Sequence, residues 1–190
     1  YEYMARARAK LMYLVPLTLA IIVVLLYMNF RNISQVAILI CGLPLALVGS
    51  VWLMYWMEFS FSVAVGVGFI ALAGVAVEIG VVMLVYLNQA MRRQETRARE
   101  AGRQLSAEDV RQAVIEGALL RVRPIMMTVA TIIAGLLPIM LGSGTGSEVM
   151  RRIAAPMVGG MISATLLTLI VIPSLFLLWR RSTTGAIAPE

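Results

Sequence analysis

Histidine is absent from this 190-residue chain, and cysteine occurs once, at Cys41 inside an apolar run. The first absence removes the commonest metal ligand and the usual near-neutral acid–base group. The second excludes a disulfide framework and any metal-knuckle spacing. Charge is scarce: 14% of residues carry it, against about 25% in a soluble domain. No carboxylate pair, phosphate loop or nucleophile triad is present, and Gly66-Val67-Gly68 has no strand before it, so it is not a nucleotide motif. An enzyme reading therefore has almost nothing to stand on. The net charge of +6 is not a nucleic-acid signature either, because the arginines flank apolar runs instead of forming a separate basic domain. The chain opens Tyr1-Glu2-Tyr3, without an initiator methionine or a signal-like segment, and reads as a piece of a longer polypeptide.

Apolar residues are abundant, at 61% with a mean hydropathy of +0.89. A membrane-spanning helix needs about 20 of them in a row. Five runs qualify: about Leu11 to Phe30, Ile33 to Met57, Ser62 to Leu87, Ile125 to Leu141 and Ile153 to Trp179. The predicted fold is an all-α membrane protein of five transmembrane helices. Residues 88–124 form a polar, basic loop, and residues 182–190 a tail. Within the loop, Ser106-Ala107-Glu108-Asp109 resembles a capping box, and Val110, Ala113, Val114 and Gly117 follow at helical spacing. That predicts a short amphipathic helix lying on the cytoplasmic membrane surface.

Positive charge orients the bundle. Arg31, the eight arginines of the 88–124 loop, Arg180 and Arg181 fall on one side; Arg6, Arg8, Lys10, Arg151 and Arg152 fall on the other. The richer side is cytoplasmic, which places the loop and the C-terminus inside. Glu58 and the glycine turn at 142–146 then face outward, with Trp52, Tyr55 and Trp56 as an outer aromatic belt. Gly42, Ala46 and Ser50 in span two, and Ala155, Gly159 and Ser163 in span five, recur every four residues. Small residues at that spacing let helix backbones approach closely, and ordinary bundle packing accounts for all six.

One carboxylate, Glu78, lies near the middle of the 26-residue run Ser62 to Leu87. A charge at the bilayer centre costs about 2.5–3.5 kcal/mol on insertion scales, so an ionisable group there is a functional hypothesis by default. Glu78 is a candidate proton carrier; the alternative is a neutral glutamic acid that hydrogen-bonds a neighbouring helix as packing glue. No lysine or arginine lies inside any span to neutralise it. Span four adds Thr128 and Thr131, with Gly135 on the same face; membrane threonines often only back-bond to a carbonyl one turn earlier. Methionine is over-represented, with 13 residues. Thioethers suit soft ions such as Cu(I), but most membrane methionines are flexible packing. Met12, Met28, Met54, Met83, Met126, Met127 and Met140 fit that description. Met150 sits at the outer boundary, just after Gly146-Ser147-Glu148-Val149, where an ion could enter, and is the candidate ligand.

The order of motifs resembles one known family. Gly68-Phe69-Ile70-Ala71-Leu72-Ala73-Gly74-Val75-Ala76-Val77-Glu78-Ile79-Gly80-Val81-Val82-Met83-Leu84 is similar to a span of the heavy-metal branch of resistance–nodulation–division efflux pumps. Leu120-Arg121-Val122-Arg123-Pro124, Ala134-Gly135-Leu136-Leu137-Pro138-Ile139, Gly146-Ser147-Glu148-Val149-Met150 and Arg152-Ile153-Ala154-Ala155-Pro156-Met157 continue the match, over roughly residues 1–181. The similarity is strongest to the copper/silver exporters of that branch. It implies the last five of about twelve helices of a proton antiporter of the bacterial inner membrane. It further implies a homotrimer joined to a periplasmic adaptor and an outer-membrane channel, with no resident cofactor. In that family pattern Glu78 belongs to the proton relay, and Met150 is half of a methionine pair for Cu(I) or Ag(I). One departure stands out: the copper/silver pattern has a lysine where this chain has Ile125. The run Pro124-Ile125-Met126-Met127-Thr128 instead resembles the drug-exporting branch, where the threonine at the position of Thr128 helps the relay. A drug-type or divalent-cation exporter, and a non-transporting membrane fragment, are the competing readings.

Overall fold

In a computed structural model, residues 2–185 are described, with side-chain environments given for 10 and 12–180. The described residues form helices joined by short turns: α1 (Glu2–Phe30), α2 (Ile33–Trp56), α3 (Val63–Glu100), α4 (Ala107–Leu141), α5 (Ser147–Leu166), a π-turn (Leu167–Val171) and α6 (Ile172–Gly185). Five helical segments are long and apolar enough to cross a membrane, the last being the continuous stretch Ser147–Arg180. The five-span expectation therefore holds. The chain divides into two units, Tyr1–Ala37 and Ile38–Glu190.

In the first unit, α1 accommodates Pro16 without breaking. Thr18 donates its hydroxyl to the carbonyls of Leu14 and Val15, both at 2.9 Å, so a polar side chain in an apolar helix is satisfied locally. Arg31 ends α1 in the left-handed region, φ 50°. The Asn32 side chain then accepts from the Ser34 amide at 3.1 Å and starts the next helix.

In the second unit the α2–α3 turn closes like a glycine-type helix stop without a glycine. The amide of Phe59 bonds Met54 O at 3.1 Å and that of Glu58 bonds Tyr55 O at 3.3 Å, with Glu58 at φ 54°. Ser62 then caps α3 by accepting from Val65 N. α5 packs against α3 and α4, and α6 chiefly against α4. A cluster of Leu72, Ile79, Ile125, Val129 and Met161 binds α3, α4 and α5 at mid-height.

The structure corrects the reading of residues 88–124. α3 does not stop at Leu87; it runs 38 residues to Glu100, about 57 Å, against a hydrocarbon core of about 30 Å. The short surface helix expected after Ser106 is not a separate element. It is the first half of the 35-residue α4, which continues through Pro124 into the span. The reason is a buried seam. Leu84, Leu87, Met91, Gln94 and Ala98 on α3 face Val110, Ala113, Val114 and Gly117 on α4, and a methyl at Gly117 would lie 3.1 Å from the Leu87 backbone. The 3–4 spacing on α3 is that of a coiled-coil seam, so the apolar positions of the loop are satisfied by a helical hairpin. Its turn is closed twice over: Arg103 N bonds Ala98 O across Gly102, φ 65°, and Ser106 with Asp109 forms the anticipated capping box. Arg103 adds a bidentate pair to Asp109, at 2.5 and 3.0 Å.

Candidate functional site

The small residues define the closed side of the second unit. The Ser163 hydroxyl donates to Ala46 O at 2.5 Å and accepts from Gly49 N at 3.2 Å, while Ser50 donates to Pro156 O at 2.5 Å. A Cβ on Gly159 would sit 2.5 Å from Gly49 O, and one on Gly49 would meet Gly159 O equally hard. Here α2 and α5 touch backbone to backbone. The stripe predicted this approach; the serine hydroxyls and the neighbouring Gly49 and Gly160 were not anticipated, although the doublets Gly49-Ser50 and Gly159-Gly160 mark the spot.

Glu78 is on the other side. Val63, Val67, Ile70, Gly74 and Glu78 all lie uncovered on α3 at spacings of three and four. The opposite face of the same helix buries Val65, Gly68, Leu72, Ile79, Met83 and Leu84. No hydrogen bond or ion pair among the described residues engages the Glu78 carboxylate. Packing glue among the described residues therefore does not describe it.

Thr128 is also uncovered and donates its hydroxyl to Pro124 O at 3.0 Å; Thr131 does the same to Met127 O at 2.9 Å. Their donors are used inside the helix, which leaves oxygen lone pairs facing outward. Glu78 precedes Ile79, and Thr128 precedes Val129. Because Ile79 and Val129 share one cluster, Glu78 and Thr128 each sit next in the chain to a residue of the α3–α4 core. Gly74 and Gly135 carry empty space where a Cβ would be. This face is shaped to admit other groups closely.

Ile125, where the copper/silver pattern has a lysine, is 2% exposed and packs in that cluster beside Ile79. Leu72, Val129 and Met161 complete that cluster.

Met150 stands apart, 57% exposed in the first turn of α5. About 16 Å of helix separates it from Met161, which lies in the mid-height cluster. Met83, read as packing, is fully buried. The two residues after Met150 hold the α4–α5 and α2–α3 turns. Arg151 donates to Gly142 O through Nε at 3.1 Å and again through Nη2, capping the carbonyl end of α4. Arg152 bonds Ser60 at 3.3 Å and lies 5.6 Å over the Phe59 ring. In the sequence both counted toward orientation and Arg152 also opened one of the family-like motifs, but neither contact was anticipated.

These features define an integral membrane bundle whose single intramembrane acid lies on an uncovered helix face. The AcrB/AcrD/AcrF family model matches residues 2–180, and the chain belongs to that family, the resistance–nodulation–division efflux transporters. It is 53% identical over 180 residues to the cation efflux system protein CusA of Escherichia coli K12, covering 94% of this chain and 17% of that protein. It is 52% identical over 182 residues to the putative cation efflux system protein SilA of Salmonella typhimurium, covering 95% and 17%. Against the cobalt-zinc-cadmium resistance protein CzcA of Cupriavidus metallidurans it is 37% identical over 186 residues, covering 98% and 16%. The X-ray structure of a heavy metal efflux pump superposes with a TM-score of 0.77 at 36% identity, covering 95% of this chain and 16% of that one. The heavy-metal branch recognised from the motifs is thus the right one, and the chain spans about one sixth of the length of the curated relatives it matches.

Proposed function

We propose that the chain is the C-terminal membrane segment of a proton-driven exporter of Cu(I) and Ag(I) in a bacterial inner membrane. The observation that carries the cargo assignment is the graded similarity: 53% and 52% identity to CusA and SilA against 37% to CzcA. The chain's chemistry agrees. It has no histidine for a borderline divalent ion, and it presents a thioether at its outer end, which suits a soft monovalent ion without needing deprotonation.

In this reading Glu78 takes up and releases a proton as the transporter alternates between inward- and outward-facing states. Thr128 accepts hydrogen bonds along the route, and Met150 is one of two sulfurs at the outer mouth. The open face of α3 and α4 receives the helices that carry the remaining relay groups. With Ile125 buried among aliphatic side chains, the base comes from those other helices, or the route runs on carboxylates, threonine and water. The C-terminus is cytoplasmic by the charge count. The assembly is a homotrimer working with a periplasmic adaptor and an outer-membrane channel.

The similarity to CzcA favours a second reading, a divalent-cation exporter. Metal tolerance of a pump-deficient host carrying the full-length parent gene separates the two. Methionine and leucine are close in volume, and such swaps cost less than about 1.5 kcal/mol even in a core. Met150→Leu should lower copper and silver tolerance and leave zinc tolerance unchanged, and Met83→Leu should be silent. Full silver tolerance in Met150→Leu, or protection against zinc and cobalt alone, refutes the assignment.

A further inference from the structure

Span five is not one helix. Between α5 and α6 the hydrogen-bond register widens for a single turn, and the Ile172 amide reaches back to Leu167 O. Such π-turns insert one residue into a helix and are frequent at functional sites. The local sequence explains it. Pro173 has no N–H to offer the Leu169 carbonyl. On either side, side-chain hydroxyls compete for backbone carbonyls: Thr165 with Met161 O at 2.6 Å, Thr168 with Ala164 O at 2.8 Å and Ser174 with Ile170 O at 2.6 Å. Back-bonding of this kind loosens and bends helices.

The π-turn borders a void. A cavity of about 10 Å³ is lined by Gly42 on α2, by Ala76, Val77 and Gly80 on α3, and by Leu167 and Ile172, the residues on either side of the widened register. Val77 and Gly80 bracket Glu78 in the chain. A methyl on Gly42 would lie 3.1 Å from a Leu167 methyl, and one on Gly80 would lie 3.3 Å from Ile172. The two glycines therefore keep this space open.

The two halves of span five share α4, but α5 is also bonded to α2 through Ser163 and packs along α3, whereas α6 touches α3 only slightly. Closing a π-turn to α register moves the following helix by about 1.5 Å and 100° relative to the preceding one, and Leu167 and Ile172 border the small void where that change would begin.

We propose that the π-turn Leu167–Val171 is the joint through which a change at Glu78 on α3 is passed to α6 and α4. The inference rests on the proton-coupled reading above. The spans of α2, α4, α5 and α6 bring no charged side chain to Glu78; Arg121 and Arg123 on α4, Arg151 and Arg152 on α5, and Arg180 on α6 sit at span ends, and the Cys41 thiol is the titratable group within α2. Glu78 is thus the group whose protonation the joint would sense.

The test uses the full-length parent protein, with its cysteines replaced by serine and spin labels at Ile162 and Leu178, exposed positions on α5 and α6. The inter-label distance should change with pH in the parent and stay constant in Glu78→Gln. Pro173→Ala restores the missing amide, so it should abolish the distance change and slow metal export by about tenfold, with an equal or higher thermal midpoint. If Pro173→Ala fails to assemble, Gly42→Ala narrows the void instead, with Gly66→Ala, where a methyl meets nothing within 4 Å, as the control. A pH-invariant distance in an exporting parent, or parental export by Pro173→Ala or Gly42→Ala, overturns the joint alone. The distance needs no metal, so a protein that exports nothing yet shows the pH-dependent change overturns the cargo assignment alone.

Discussion

The α2–α5 contact and the open face of α3 and α4 are equally apolar in sequence, and they use their few polar atoms in opposite ways. At the α2–α5 contact each hydroxyl is consumed: Ser50 and Ser163 donate across the interface, and glycines bring the backbones together. On the open face, among the described residues, Glu78 has no hydrogen-bond or ion-pair partner, Thr128 and Thr131 bond within their own helix, and a methyl on Gly74 or Gly135 would meet nothing within 4 Å. A closed seam lowers the energy of one arrangement, whereas a carboxyl beside open space can be approached by other groups. The same inventory of small and polar residues therefore builds a fixed contact on one side and an exchangeable one on the other.

The contrast makes graded predictions, ranked here by effect on folding. Gly159→Val should cost most. Its branched side chain meets the Gly49 carbonyl, which cannot swing away, so the expected loss is about 3 kcal/mol or more. Folded yield and the midpoint of detergent-solubilised unfolding report it, and normal values would mean the seam is looser than drawn.

Ile125→Lys places a charge in the cluster that holds Ile79, with an effective penalty of several kcal/mol unless a partner reaches it. Lost assembly is expected. Normal assembly with faster export would show that a relay acid from outside this chain meets that position, moving the boundary between closed and open sides.

Glu78→Gln should leave folding almost untouched, within about 0.5 kcal/mol, as for other uncovered side chains without partners. It should abolish export, because an amide cannot release a proton. Parental export by this variant would make Glu78 a packing residue for an absent helix.

The smallest effect belongs to the turn between α3 and α4. The Arg103 guanidinium, together with the Ser106 amide and hydroxyl, holds the Asp109 carboxyl well below the usual carboxylate range. A depressed acid contributes stability that is present above its unfolded pKa of about 3.9 and is lost as pH falls toward the folded value. Asp109→Asn should therefore lower the protection of hairpin amides from hydrogen exchange by a constant amount above about pH 5. That difference should narrow as pH falls through about 4, and a pH-independent difference would assign the effect to capping geometry instead of charge.

Composition and run length were enough to locate five spans, because water cannot satisfy a backbone in lipid and only long apolar helices cross it. The isolated acid Glu78, the small-residue stripes and the Ser106–Asp109 cap were likewise legible, each being a local pattern with a local cause. The hairpin was not. Leu84, Leu87, Met91, Gln94 and Ala98 are scattered among arginines, and only the partner strip Val110 to Gly117 folding back on them makes one buried seam. The π-turn was hidden for a similar reason. Thr165, Thr168, Pro173 and Ser174 weaken any helix, but the register change also needs the void held open by Gly42 and Gly80, which belong to other helices. Which side of α3 stays uncovered was a tertiary decision too. Glu78 and Ile79 are neighbours in an unbroken apolar run, and the packing of α4 and α5 on Ile79 is what turns Glu78 outward.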